Sequence, residues 1–138
     1  MKKSVSITAV CVVLVAICCA YVQAQGAEVG KAGKEPDRVL RHVVLFKFKD
    51  GTTAEQIKSI EDAFRALPGK IPAIHAFEWG TNSSPENLSQ GFTHCFFLTF
   101  LSEEDRNAYL PHPAHKEFGA MLGPYLDRVC VVDYWTSK

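Results

Sequence analysis

Little in this chain leans to one side. Its 138 residues carry 15 basic and 15 acidic side chains. No excess of positive charge exists to grip a phosphate backbone, so nucleic acid is excluded as a partner. Long apolar runs are scarce as well. The one at Ile7–Val22 is shorter than the ~20 residues a spanning helix needs. No acid or cysteine stands at a spacing that would complete a metal site around the histidines. Nothing marks a haem or flavin site. No metal and no cofactor are therefore expected.

What is present begins with a leader. Lys2 and Lys3 precede the apolar run, and Val22-Gln23-Ala24 resembles a small-x-Ala cleavage site. That is the pattern of a secretory signal peptide over residues 1–24, cut after Ala24. It predicts a secreted or periplasmic protein with no stable membrane anchor once the signal is removed. Removal takes two lysines and no acid, which leaves a weakly acidic mature chain. Residues 25–38 are polar and Gly-rich and read as a flexible linker. The domain proper then runs over 39–138, enough for one small core. Of five cysteines, Cys11, Cys18 and Cys19 lie in the leader, and Cys95 and Cys130 remain.

The periodicity of the domain is legible. His42–Phe48 is β-branched and aromatic and reads as a strand. Thr52 or Thr53 caps a helix at capping-box spacing to Glu55 or Gln56. Its apolar stripe is Ile57, Ile60, Phe64 and Leu67. Ile74–Gly80 and Phe92–Phe100 read as strands around a polar loop. Ser102 caps a short acidic-start helix, Pro113 opens another, and Arg128–Trp135 is the last strand. The order β-α-β-β-α-α-β is an α+β, ferredoxin-like plan: an antiparallel sheet with helices on one face.

That plan leaves the other sheet face bare. It holds Val43, Leu45, Cys95, Phe97, Cys130, Val132 and Tyr134. A bare apolar face on a small domain needs a partner, and the simplest is a second copy, sheet against sheet. In the usual strand order the first strand separates the third from the fourth. Cys95 and Cys130 then stand roughly 9–10 Å apart, too far for a bridge within one subunit. A bridge across the face between two copies stays open.

The opening R-H-V-V-L-F-K-F, the G-F-T-H strand, the Y-L-P-H-P-A-H-K-E-F segment and the closing V-V-D-Y resemble the stress-responsive dimeric α/β-barrel (Dabb) domain family. The likeness covers roughly Arg41 to Trp135, and H-P-x-H after a Tyr-bearing helix is its most specific part. The resemblance implies a homodimer with a cavity between sheet and helices. Comparison with a plant polyketide cyclase of that family puts its polar pocket groups at His42, His94, Tyr109 and His115. It puts the apolar lining at Val44, Phe46, Phe64, Phe96, Phe118, Leu126 and Val131. It does not carry a substrate over.

The residues themselves leave several readings open. His42 and His94 share the helix-covered face. They are either half-buried groups bonded to helix ends or polar handles in an apolar ligand site. His115 has the chemistry to abstract a proton beside a carbonyl, and Tyr109 to hold the developing oxyanion; the bland alternative is a packed tyrosine and a turn-fixing histidine. His112 is expected to cap the last helix, and His75 to lie at the surface. Asp133, on an apolar strand, needs a partner; a salt bridge or a hydrogen bond to a neighbouring strand or helix end is favoured over a role in orienting a pocket histidine. Three functions follow: a dimeric barrel that binds a small hydrophobic or aromatic molecule, a cofactor-free cyclase, lyase or isomerase acting on a keto or phenolic substrate through His115 and Tyr109, or a structural stress protein without a ligand. Monooxygenation, performed by related dimeric barrels, is a further alternative.

Overall fold

A computed structural model describes residues 37–137. The expected signal peptide lies outside the described residues, as does all of the linker but Asp37 and Arg38. Strand β1 (Leu40–Phe48) is followed by α1 (Ala54–Arg65), β2 (Ala76–Thr81), β3 (His94–Phe100), α2 (Glu103–Tyr109), α3 (Pro113–Leu122) and β4 (Leu126–Trp135). The sheet order is β2-β3-β1-β4, and every pair is antiparallel. This is the ferredoxin-like βαββααβ architecture.

Local chemistry explains the element ends. Thr53, not Thr52, caps α1: its hydroxyl accepts from Gln56 N–H, and the Gln56 side chain accepts from Thr53 N–H. Such reciprocal bonding satisfies two donors that a helix start leaves orphaned. Strand β3 starts at His94, two residues later than the pattern suggested, because Gln90 and Gly91 both take positive φ and hold a turn. Strand β2 starts late for a similar reason, with Ile74 N–H closing a turn onto Ile71 C=O. Strand β4 starts early, at Leu126, opposite Phe48 across a register shift.

The core lies between sheet and helices. Phe46, Phe64, Phe96, Leu98, Phe100, Ile60 and Tyr109 are buried there. Phe64 of α1 stacks on Phe96 with ring centroids 4.3 Å apart and meets Phe118 of α3 at 4.6 Å. Aromatic contacts of this kind add to the area term. The helices do not reach the whole sheet. Val129 and Val131 of β4 belong to the helix-covered side by register with Phe46 and Val44, yet they are 49% and 51% exposed. A gap therefore remains between β4 and α3.

On the opposite face Leu45 pairs with both Cys95 and Cys130. The two cysteines are separated by a whole strand, and both are free thiols. Val132 and Tyr134 are exposed on this same face.

Candidate functional site

The gap beside β4 deepens into a cavity of about 310 Å³. Its floor is His42, Val44 and Phe46 of β1, and its far wall is Phe64 of α1. Tyr109 and Leu110 enter from the end of α2, and His115, Phe118, Gly119 and Leu122 from α3. Leu126, Val129 and Val131 form the β4 side. The wall is apolar except for three side chains, His42, Tyr109 and His115. That composition is the usual make-up of a small-molecule site.

Two short helices in tandem place Tyr109 and His115. Tyr109 ends α2, and His112 N–H donates to its carbonyl at 3.1 Å. His112 then caps α3, its Nδ1 accepting from Ala114 N–H at 3.2 Å, and Pro113 supplies a first-turn residue that needs no donor. The connection brings the Tyr109 and His115 rings to 4.2 Å between centroids. His115 Nδ1 lies 3.0 Å from the Leu110 carbonyl. A carbonyl only accepts, so Nδ1 carries the hydrogen. In the neutral ring Nε2 then holds the lone pair, which is the form a general base requires.

Tyr109 is buried, and that burial pushes its phenol well above the ordinary range. It stays protonated and acts as a donor. Among the described residues its hydroxyl has no protein partner, and it is not a fully enclosed orphan either. The same holds for His115 Nε2 and His42 Nε2. Three polar side chains thus line an otherwise apolar cavity.

His42 is tied from behind. Its Nδ1 is 2.6 Å from Asp133 Oδ1, and Asp133 Oδ2 accepts from Arg106 of α2. The expected salt bridge of Asp133 is present, and the same carboxylate also orients a cavity histidine.

Nine of the eleven residues singled out from the sequence meet at this cavity; His94 and Phe96 do not line it. His94 Nε2 bonds Glu61 at 3.0 Å, and its Nδ1 bonds the Thr93 hydroxyl at 2.8 Å. Both ring nitrogens are satisfied by protein. Phe96 is sealed in the core between Phe64 and Trp79. Leu110, Gly119, Leu122, Gly123 and Val129 line the cavity without having been singled out. Gly119 and Leu122 stand four and seven residues after His115, the spacing of one helix face. Among the described residues no group of three His, Cys, Asp or Glu side chains could hold a metal.

A ferredoxin-like α+β domain with a walled apolar cavity is the class that fold and site define. Residues 40–136 match the sequence profile of the Stress responsive A/B Barrel Domain. The chain belongs to that family. It is 43% identical over 95 residues to the stress-response A/B barrel domain-containing protein HS1 of Arabidopsis thaliana, covering 69% of this chain and 87% of the relative. It is 31% identical over 99 residues to olivetolic acid cyclase of Cannabis sativa, covering 72% of this chain and 98% of that one. Among solved structures, hydroxynitrile lyase from Passiflora edulis superposes with a TM-score of 0.68 at 27% identity, over 72% of this chain and 94% of that one. A dimeric ferredoxin-like protein from Bacteroides fragilis superposes at 0.58 and 29% identity, over 70% and 94%.

Proposed function

We propose that this protein is an exported homodimer whose cavity binds one small hydrophobic or aromatic molecule. The observation that carries the reading is the wall itself: apolar side chains around three polar ones, His42, Tyr109 and His115, the usual make-up of a ligand site. An apolar cavity of roughly 150 Å³ holds one benzene, so about 310 Å³ suits one substituted ring. Dimeric neighbours of the same fold support the assembly, and the bare sheet face supplies its surface. Export rests on the leader pattern of residues 1–24.

Filling the cavity tests the binding. A Cβ on Gly119 would meet nothing within 4 Å, and a helical glycine is costly relative to other residues. Gly119→Leu therefore keeps the fold and occupies the space. Calorimetric titration with small alkylphenols and aryl ketones should give binding to the parent, weaker by about tenfold or more in Gly119→Leu. Equal binding to both sinks the reading.

A second reading is cofactor-free proton transfer on a keto or phenolic substrate, of the cyclase, lyase or isomerase kind. The fixed ring of His115 favours it, with a bare Nε2 beside a phenol that stays protonated. His115 would remove a proton next to a carbonyl, and Tyr109 would donate to the oxygen that becomes an enolate. Olivetolic acid cyclase and hydroxynitrile lyase, both similar to this chain, act on small molecules and fit that reading. Deuterium exchange from solvent into the methyl group of aryl methyl ketones, followed by NMR, should fall about tenfold or more in both His115→Gln and Tyr109→Phe. Exchange unchanged in the two variants removes it.

A further inference from the structure

The link from β2 to β3, residues 82–93, is polar and carries two N-x-S triplets, Asn82-Ser83-Ser84 and Asn87-Leu88-Ser89. Asn107, the remaining asparagine, opens none. An asparagine followed two residues on by a hydroxyl, with no proline between, is the acceptor pattern for N-linked glycans in exported proteins. The first triplet is wired into the fold. Asn82 N–H donates to the Thr93 carbonyl at 2.8 Å, its Oδ1 accepts from Ser84 N–H at 3.1 Å, and the Ser84 hydroxyl accepts from Glu86 N–H at 3.3 Å. Pro85 comes directly after and confines Ser84 to extended backbone. Asn82 also borders a depression that reaches the bare sheet face at Leu45 and Cys95.

The second triplet sits at the tip. Asn87 is exposed, and Leu88 beside it is 72% exposed. Asn87 takes a φ of 59°, a left-handed conformation that asparagine tolerates better than most side chains. Its Nδ2 stands 3.4 Å from the Pro85 carbonyl, long for a hydrogen bond, so a substituent on that nitrogen gives up little there. The base of the link is pinned. Arg128 of β4 donates to the Gln90 carbonyl and lies over the Phe92 ring, 5.4 Å from its centroid. Phe92 N–H closes a turn onto the Ser89 carbonyl at 2.9 Å. Asn87 thus stands out from a fixed base, and it lines neither that depression nor the cavity beside β4.

We propose that Asn87 carries an N-linked glycan and that Asn82 does not. The inference rests on reading the protein as exported, through a lumen that supplies a polyprenyl diphosphate-linked oligosaccharide, and adds a covalent modification to that reading. In the transfer one Nδ2–H bond of Asn87 gives way to a bond from Nδ2 to the anomeric carbon of the first sugar. The bond from that carbon to the diphosphate oxygen breaks, the polyprenyl diphosphate leaves with the electron pair, and the amide proton goes to solvent. Nothing is oxidised or reduced. The glycan stays on the denatured chain, which separates its mass from that of a molecule held in the cavity.

The test expresses the full chain with its own leader in cultured plant cells. The secreted protein is analysed by mass before and after a peptide N-glycosidase, which leaves aspartate where a glycan stood. Most secreted chains should carry one glycan, and the treated protein should hold aspartate at position 87 and asparagine at position 82. Asn87→Asp keeps a side chain that tolerates the left-handed backbone and should abolish the glycan, as should Ser89→Ala. Ser89→Thr, which keeps the hydroxyl, should retain it, and so should Asn82→Asp. A secreted parent without a glycan overturns the inference and leaves export standing. A glycan that persists in Asn87→Asp, or aspartate at position 82 in the treated parent, overturns the choice of Asn87. A parent that stays in the cytosol removes the export reading, and the inference falls with it. Should a variant not be secreted, the residue found at position 87 of the treated parent decides.

Discussion

Tyr109 is the most deeply buried polar side chain of the cavity wall. Burial disfavours the phenolate and raises the titration point in the folded state. The unfolded phenol ionises near pH ~10. Below that pH both states hold the proton, and stability is unaffected by it. Above it the unfolded chain releases the proton while the folded chain keeps it, so stability falls as pH rises. Chemical denaturation on either side of that value should show the parent losing more stability than Tyr109→Phe; equal losses would mean that the phenol is not desolvated. At this scale much of the site was legible. His115, Tyr109 and His42 follow from residue type and from the H-P-x-H segment. Asp133 was seen to need a partner, but its bond to His42 spans 91 positions, and no local pattern reports such pairing. Arg106 was readable only as three residues before Tyr109, and so on its helix face.

Period-2 alternation placed His94 and Phe96 on the correct face of β3. It could not say where along the sheet the helices leave a gap. The register puts His94 opposite Phe46 and Thr81, where Glu61 of α1 closes over it, while the cavity opens on the β4 side. Strand faces are thus written in the sequence, and helix coverage is a property of packing. Capping signals were dependable because they are local: Thr53, Ser102 and His112 all accept from the backbone N–H groups of their helices. Thr53→Ala should cost about 1 kcal/mol in denaturant titration. It should leave phenol binding unchanged, since Thr53 does not border the cavity. A loss of binding would mean that the seating of α1, which carries Phe64, is less rigid than its packing implies.

The two faces of the one sheet differ. The helix side encloses the cavity, and the other side presents Val43, Leu45, Phe97, Val132 and Tyr134. Patterning alone calls for a cover on the second side, and two solved neighbours of this fold are dimeric. Val132 is 51% exposed in the single chain, so Val132→Asp would cost the fold little but would bury a carboxylate in a sheet-to-sheet interface. Sedimentation velocity should show a dimer for the parent and a shift toward monomer for the variant. A parent that sediments as a monomer would leave the apolar face unexplained. The most direct test of the central claim is a native mass spectrum of the protein purified from an exporting host, run beside Gly119→Leu. The account predicts a dimer carrying extra organic mass, up to one molecule per subunit, and a dimer without it in the variant. The same bound mass on the filled variant, or a parent that takes up no alkylphenol or aryl ketone added in excess, would contradict it.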